Sequence, residues 1–256
     1  MKRSRAPLWI TLAVLAFFYL PIAVLVVNSF NASRFDGQWS GFTLVWYQKL
    51  LAAPEVWHAL GNTLAIALVA TVCATVLGTT AAFALDRYRS RLQDAHYLLV
   101  YAPLVIPEIL LGISLLLFFV ALKVELGYVT IVIAHVTFCV SFVAMVVLGR
   151  LQDFDWSLVE AAQDLGADSW TTARRIVLPL LAPGIAAGAL LAFTLSVDDF
   201  VITFFVAGPG TTTLPLHIYS MMKHGSPPLI NALSTLLLTL TTTAVWFSQR
   251  LLKEAR

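Results

Sequence analysis

The 256 residues of the chain are 59% hydrophobic and 12% charged, with a mean hydropathy of +0.85. The charged share is about half that of an ordinary soluble domain, which excludes a water-soluble fold for most of the chain. The net charge of +2 is too small to indicate a nucleic-acid partner.

Six apolar runs are long enough to cross a bilayer, since a transmembrane helix needs about 20 apolar residues. They cover residues 8–28, 61–84, 96–122, 127–149, 183–206 and 229–249. The first run follows a basic start, as a signal peptide would, but it is long enough to span and no small-residue cleavage site closes it. We therefore expect a retained first helix and a single transmembrane domain over residues 1–256.

The Lys and Arg residues all lie outside these runs. With a cytoplasmic N-terminus, twelve of the sixteen fall on the cytoplasmic side and four on the outer side. This asymmetry is typical of the positive-inside rule. The sequence thus predicts an all-α integral membrane protein with six transmembrane helices and both termini in the cytoplasm. The tryptophan-rich outer segment, residues 29–60, is expected to contain a short interfacial helix.

Prolines and small residues mark special positions within the runs. Pro21, Pro103 and Pro107 predict kinks or local unwinding. Small residues recur every four positions in the second and fifth runs, a spacing that allows close helix contact in lipid. They are Ala74, Gly78 and Ala82, and then Gly184 with Gly188.

The inner segment between the fourth and fifth runs, residues 150–182, predicts two short amphipathic helices separated at Gly166. Glycine suits the left-handed residue that closes a helix. Ser157 and Glu160 have capping-box spacing at the start of the first helix. Either Asp168 or Ser169 can cap the second, which we expect to end at Pro179. The shape of such a helical hairpin is suited to docking on a partner protein.

The order Glu160-Ala-Ala, three residues, Gly166, nine residues, Ile176-x-Leu178-Pro179 resembles the signature loop of ATP-binding-cassette importer permeases. The resemblance implies the type I importer permease fold and a loop, residues 153–179, that docks on a separate ATPase subunit. It implies the coupling residues Glu160, Ala161, Gly166, Leu178 and Pro179. It also implies the bacterial inner membrane as location, and as partners a second, paralogous permease subunit, two ATP-binding subunits and a periplasmic substrate-binding protein.

The chain contains no Gly-Lys dipeptide and therefore no phosphate-binding loop of the G-x-x-x-x-G-K-[ST] type. We expect ATP and Mg to bind the partner subunits, and this chain to be a transport subunit without a cofactor or enzymatic activity of its own. Cys73 and Cys139 lie in apolar runs without Cys or His at ligand spacing, which argues against a disulfide framework or a zinc site.

Three carboxylates lie within the apolar runs: Glu108 in the third, and Asp198 with Asp199 in the fifth. Each costs at least a few kcal/mol at membrane depth, where no Lys or Arg of the runs can pair with it. Counted along helices at about 1.5 Å per residue, all three lie at or beyond the midplane, toward the outside. Adjacent helical residues project about 100° apart, so one aspartate lines a cavity while Ser196 or a neighbouring helix holds the other. The sequence leaves open which is which.

The stretch from Phe193 to Phe205, followed by Gly208-Pro-Gly210, resembles the permease subgroup that imports spermidine and putrescine. Intramembrane carboxylates suit these substrates because they offset part of the dehydration of ammonium groups. The expected substrate path comprises Asp198, Asp199, Glu108, Ser196 and Trp46, the last as a cation–π surface or an interfacial anchor. His135, in the fourth run, is expected to be a hydrogen-bonded packing residue.

The sequence is compatible with three alternatives. The first is an importer of the same class for another small solute. The second is an ion-coupled secondary carrier or channel, in which the three carboxylates relay protons or bind cations. The third, a membrane-embedded hydrolase, has little support because the chain lacks H-E-x-x-H and G-x-S-x-G patterns.

Overall fold

The computed structural model describes residues 6–34, 38–88, 91–223 and 227–254. Over these residues the regular structure is helical, and extended pairing is limited to one isolated bridge between Asn31 and Phe42. The prediction of an all-α protein is confirmed. The helices are α1 (Ala6–Asn28), α2 (Val45–Leu51), α3 (Pro54–Arg87), α4 (Gln93–Val105), α5 (Glu108–Ala121), α6 (Tyr128–Gln152), α7 (Ser157–Asp164), α8 (Ser169–Thr172), α9 (Leu178–Asp198), α10 (Val201–Val206), α11 (Leu214–Lys223) and α12 (Pro227–Glu254), with a π-helical turn, Ala173–Val177, between α8 and α9.

Within the described ranges, four helical stretches are long and apolar enough to cross a membrane. They are Leu8–Asn28, Pro54–Arg87, Tyr128–Gln152 and Ser169–Asp198. α4 and α5 together make a fifth, broken candidate. The apolar part of α12, Pro228–Thr243, is a shorter apolar helix than these. Helices of span length therefore overlap the first, second, fourth and fifth predicted runs, and the last of these helices ends at Asp198, within the fifth run.

The third predicted run is interrupted at Pro107, as its prolines predict. α4 and α5 meet at an angle of 110°, and the two residues between them, Ile106 and Pro107, have extended backbones with ψ of 128° and 135°. Proline removes a helical N–H donor and pushes the residue before it toward an extended conformation. α1 and α4, by contrast, continue as helices through Pro21 and Pro103.

The chain divides into two compact units. The first comprises Met1–Trp57 with His217–Arg256, and in it α12 packs on α1 and α2. The short helix predicted within residues 29–60 is confirmed by α2. The second unit, His58–Leu216, is built around α6, which packs on α4, α5, α9 and α10.

Small residues bring two helices close to α6 in the second unit. A Cβ atom on Gly78 of α3 would lie 2.7 Å from the Cβ of Val143, and one on Gly188 of α9 would lie 3.3 Å from Cγ1 of the same valine. Ala74 and Ala82, on α3, are fully buried. The close packing predicted from both small-residue patterns is therefore confirmed, and Val143 is a shared contact point.

Candidate functional site

The fifth apolar run is not one helix over 183–206, as the sequence had predicted. α9 ends at Asp198, Asp199 has an extended backbone (φ −64°, ψ 121°), and α10 begins at Val201. The angle of about 100° between the side-chain directions of Asp198 and Asp199, which is expected for a continuous helix, therefore does not apply. The two aspartates occupy different environments at this break.

The carboxylate of Asp199 is buried, with 5% of the side chain exposed. Its Oδ1 accepts a hydrogen bond from the Ile202 amide at 3.3 Å. Its Oδ2 accepts from the backbone N–H and the hydroxyl of Thr203 at 2.8 and 2.7 Å. The first N–H groups of a helix have no partner within the helix, so these bonds stabilise a new helix start at α10. This is the physical reason for the break.

The ring of His135, on α6, contacts residues before, within and after the same break. Nδ1 lies 2.7 Å from the hydroxyl of Ser196 on α9, and Nε2 lies 2.9 Å from the hydroxyl of Thr203 on α10. Nε2 is also 3.2 Å from Oδ2 of Asp199. His135 is 1% exposed and Ser196 is 2% exposed. The buried, hydrogen-bonded setting expected of His135 is observed, and Ser196 acts as its partner.

A cavity of about 220 Å³ adjoins the break. Two carboxylates with exposed side chains, Glu108 and Asp198, line it, and Asp199 contributes to its wall. Glu108 is the first residue of α5, where the helix dipole favours an anion. The remaining lining residues are uncharged: Phe138, Phe142, Thr194, Leu195, Phe200 and Val201. Two exposed carboxylates among aromatic and aliphatic side chains form a site that can attract cations, and its walls can contact apolar groups.

Trp46 belongs to the first unit, on α2. Its indole N–H donates to the carbonyl oxygen of Asn31 at 2.8 Å, and the ammonium of Lys49 lies 4.5 Å from the centroid of its ring. A cation of the same chain therefore already occupies a cation–π position on Trp46. A solute ammonium on that face would compete with Lys49.

The signature loop contains the predicted pair of short helices, α7 and α8, and Gly166 between them. Gly166 has φ of +86°, which confirms the predicted left-handed glycine. The predicted Ser157 cap is wrong, because Ser157 is the first residue of α7 and donates its N–H to the carboxylate of Asp155 at 3.0 Å. Hydrogen bonds from the hydroxyl and the N–H of Ser157 hold the pKa of Asp155 below its usual value. Asp168 occupies the N-cap position of α8, one of the two predicted options.

The second helix of the loop does not end at Pro179, contrary to the prediction. It continues through the π-helical turn Ala173–Val177 into α9, whose first residues are Leu178 and Pro179. Proline is tolerated in the first turn of a helix, where its missing N–H would have no helical partner. The second helix of the loop therefore continues without interruption into α9, which ends at Asp198.

The remaining predicted coupling residues lie on the surface of the loop. Glu160, Ala161 and Gly166 are exposed, whereas Val159 and Ala162 on the same helix are each 9% exposed and face the protein. A further contact, which no pattern in the sequence predicts, joins the loop to α3: the guanidinium of Arg87 lies 4.9 Å from the ring centroid of Trp156. The loop is anchored on one face and presents the motif on the other.

Comparison with known proteins agrees with this architecture. Residues 74–254 match the family model described as the binding-protein-dependent transport system inner membrane component. This match covers more than half of the chain. The chain therefore belongs to the family of inner-membrane components of binding-protein-dependent transport systems.

Two curated relatives are similar over most of their length. The chain is 43% identical over 242 residues to the spermidine/putrescine transport system permease protein PotC of Escherichia coli K12, an alignment that covers 94% of this chain and 92% of the relative. It is 44% identical over 243 residues to the putrescine transport system permease protein PotI of the same organism, covering 91% and 86%.

Solved structures of ABC transporters share the fold at lower identity. A chain of an ABC transporter involved in alginate import aligns with a TM-score of 0.75 at 17% identity, covering 98% of both chains. A chain of the MetNI methionine ABC transporter aligns with a TM-score of 0.62 at 19% identity, covering 84% of this chain and 100% of that chain. The expected importer permease fold is confirmed by these likenesses.

Proposed function

We propose that this chain is a permease subunit of an ATP-driven importer that moves spermidine and putrescine across the bacterial inner membrane. The observation that carries the proposal is identity above 40% to two polyamine permeases over at least nine-tenths of the chain. The acidic cavity supports it chemically. A polyamine combines ammonium groups with an apolar stem, and the cavity combines two exposed carboxylates, Glu108 and Asp198, with aromatic walls.

The proposed topology has six crossings in a single permease domain, with both termini in the cytoplasm. The asymmetry of Lys and Arg between alternate loops supports the orientation. α12 would supply the sixth crossing. Its apolar stretch, Pro228–Thr243, is short, but the sequence continues without charge to Gln249 and so reaches the length of about 20 residues that a span needs.

The proposed mechanism is alternating access driven from the loop. A periplasmic binding protein delivers the solute to this chain and a paralogous permease subunit, and two ATPase subunits hold ATP and Mg. Their closure displaces the exposed face of the signature loop, which carries Glu160, Ala161 and Gly166. Because the loop continues as helix into α9, 21 residues and therefore about 30 Å long, the displacement reaches Asp198 at the far end. This subunit performs no bond chemistry.

Uptake by the assembled transporter in proteoliposomes tests the proposal. Labelled spermidine should enter in an ATP-dependent manner, and unlabelled spermidine or putrescine should compete, while a diol of the same chain length should not. Uptake that ignores both polyamines would remove the substrate assignment. Uptake that persists without the ATPase subunits and stops when the proton gradient is collapsed would favour an ion-coupled carrier instead.

A further inference from the structure

We propose that His135 is a positioning residue for the acidic cavity: through Nε2 it ties the extended residue between α9 and α10 to α6, so that Asp198 faces the cavity. This inference rests on the proposed function, because it gives the cavity its cationic solute. It begins from the geometry of one imidazole ring that contacts two helices and the residue between them.

The two ring nitrogens of His135 point to opposite sides of the break. Nδ1 meets Ser196, two residues before Asp198, at 2.7 Å. Nε2 meets Thr203 at 2.9 Å and Asp199 at 3.2 Å. The ring is rigid and belongs to α6, the central helix of its unit. These contacts therefore fix the position of the break relative to the central helix α6.

Proton positions follow from what each group can donate. Where Asp199 is ionised and the ring of His135 is neutral, Nε2 carries the ring proton, since the carboxylate only accepts, and Nδ1 accepts from the Ser196 hydroxyl. The Thr203 hydroxyl donates to Asp199 at 2.7 Å, which leaves its oxygen to accept from Nε2. The four side chains are at most 5% exposed. In such a closed network, loss of one member leaves a buried polar group without a partner, which is costly.

The same network determines how many charges face the cavity. The carboxylate of Asp199 accepts three hydrogen bonds within the wall and lies 3.2 Å from Nε2 of His135, while Glu108 and Asp198 remain exposed. Without the Nε2 donor, Oδ2 of Asp199 loses a buried partner and the extended residue at the break loses its link to α6. Asp198, which directly precedes that residue, would then lose its fixed direction.

Two amide replacements of His135 separate the two ring nitrogens. The side-chain nitrogen of glutamine reaches the position of Nε2 and retains the link to Asp199 and Thr203, whereas that of asparagine reaches only the position of Nδ1. ATP-driven spermidine uptake is measured per amount of assembled transporter. We expect His135→Gln to keep the KM within about twofold and His135→Asn to raise it by about tenfold, with maximal rates changed less than the KM.

The KM contrast distinguishes positioning from packing. An equal rise in both variants, or no rise in either, would overturn the proposal. If His135→Asn does not assemble, Thr203→Val and Thr203→Ser provide a second matched pair, since only the serine keeps the hydroxyl that Nε2 contacts. The same contrast is then expected, with valine raising the KM, and its absence would also overturn the proposal.

Hydrogen exchange provides a readout that does not depend on the solute. In the assembled transporter without substrate, the amides of Ile202 and Thr203 should exchange faster in His135→Asn than in His135→Gln or the wild type. Unchanged exchange in both variants would overturn the positioning role. A wild-type transporter that ignores polyamines would contradict the proposed function alone, because the exchange result still tests His135.

Discussion

Replacing Asp199 and Asp198 by asparagine, one at a time, tests whether the two neighbouring carboxylates have different roles. Each change removes a charge at nearly constant volume, so each variant is the control for the other. Asp199 accepts three hydrogen bonds, lies 3.2 Å from Nε2 of His135, and has 5% of its side chain exposed. Asparagine retains one acceptor oxygen. If that oxygen takes the place of Oδ2, the new NH₂ group faces the donating amide of Ile202, and one buried bond to a charged group is lost.

The magnitude follows from that one bond. Hydrogen bonds to charged groups contribute about 1.5–3 kcal/mol, so Asp199→Asn should destabilise the fold by about 2 kcal/mol. Asp198 is exposed to the cavity, and exposed substitutions usually change stability by less than about 0.5 kcal/mol. Asp198→Asn should therefore leave stability unchanged while it weakens solute binding, because it removes one of the two exposed charges.

Thermal unfolding of the detergent-solubilised transporter, followed by uptake kinetics in proteoliposomes, measures both effects. The expected result is a lower unfolding midpoint for Asp199→Asn, and a wild-type midpoint with a raised KM for Asp198→Asn. Equal midpoints for the two variants, or a larger loss of stability from Asp198→Asn, would refute the division between a wall carboxylate and a cavity carboxylate.

Three further predictions concern the loop and helix packing. Glu160→Ala should abolish ATP-driven uptake without reducing the amount of inserted subunit, while Asp164→Ala, an exposed acid on the same helix, should transport normally; uptake is the measurement. Gly78→Ala should lower the unfolding midpoint by overpacking worth about 1–3 kcal/mol, whereas Gly61→Ala, with nothing within 4 Å of its new Cβ, should not. Gly208→Ala should destabilise more strongly than either, because its Cβ would collide with a backbone carbonyl that cannot rotate away; a wild-type midpoint would contradict this.

Much of the helical framework is predictable from the sequence because its signals are local. Apolar runs of sufficient length coincide with the long helices α1, α3 and α6. The break at Pro107 follows from the chemistry of one residue and its neighbour. The left-handed Gly166 similarly follows from the absence of a Cβ atom. In each case the deciding interaction lies within a few residues of the position predicted.

The division of labour between Asp198 and Asp199 is not predictable in this way. Apolar composition continues through the pair to residue 206, so periodicity gives one helix and a fixed angle between the two side chains. The break depends on Thr203, four residues ahead, and on His135, 61 residues before its partner Ser196. A contact between residues so far apart in the sequence cannot be predicted from the local hydrophobic pattern. The three acids in the sequence indicate a polar site, but only the fold separates the one that is held from the two that are free to meet a solute.

The continuation of the loop into α9 has a mechanical consequence for the proposed transport cycle. Gly188, which packs against Val143 of α6, lies ten residues from each end of α9. Each arm is therefore about 15 Å long. If closure of the ATPase subunits rotates α9 about this contact, the loop end and the Asp198 end move by similar distances in opposite directions. Spin labels at exposed positions near both ends, each referenced to α6, should show paired shifts of opposite sign on ATP binding. A shift at the loop end with none at the cavity end would mean that α9 bends and does not carry the displacement to the acids.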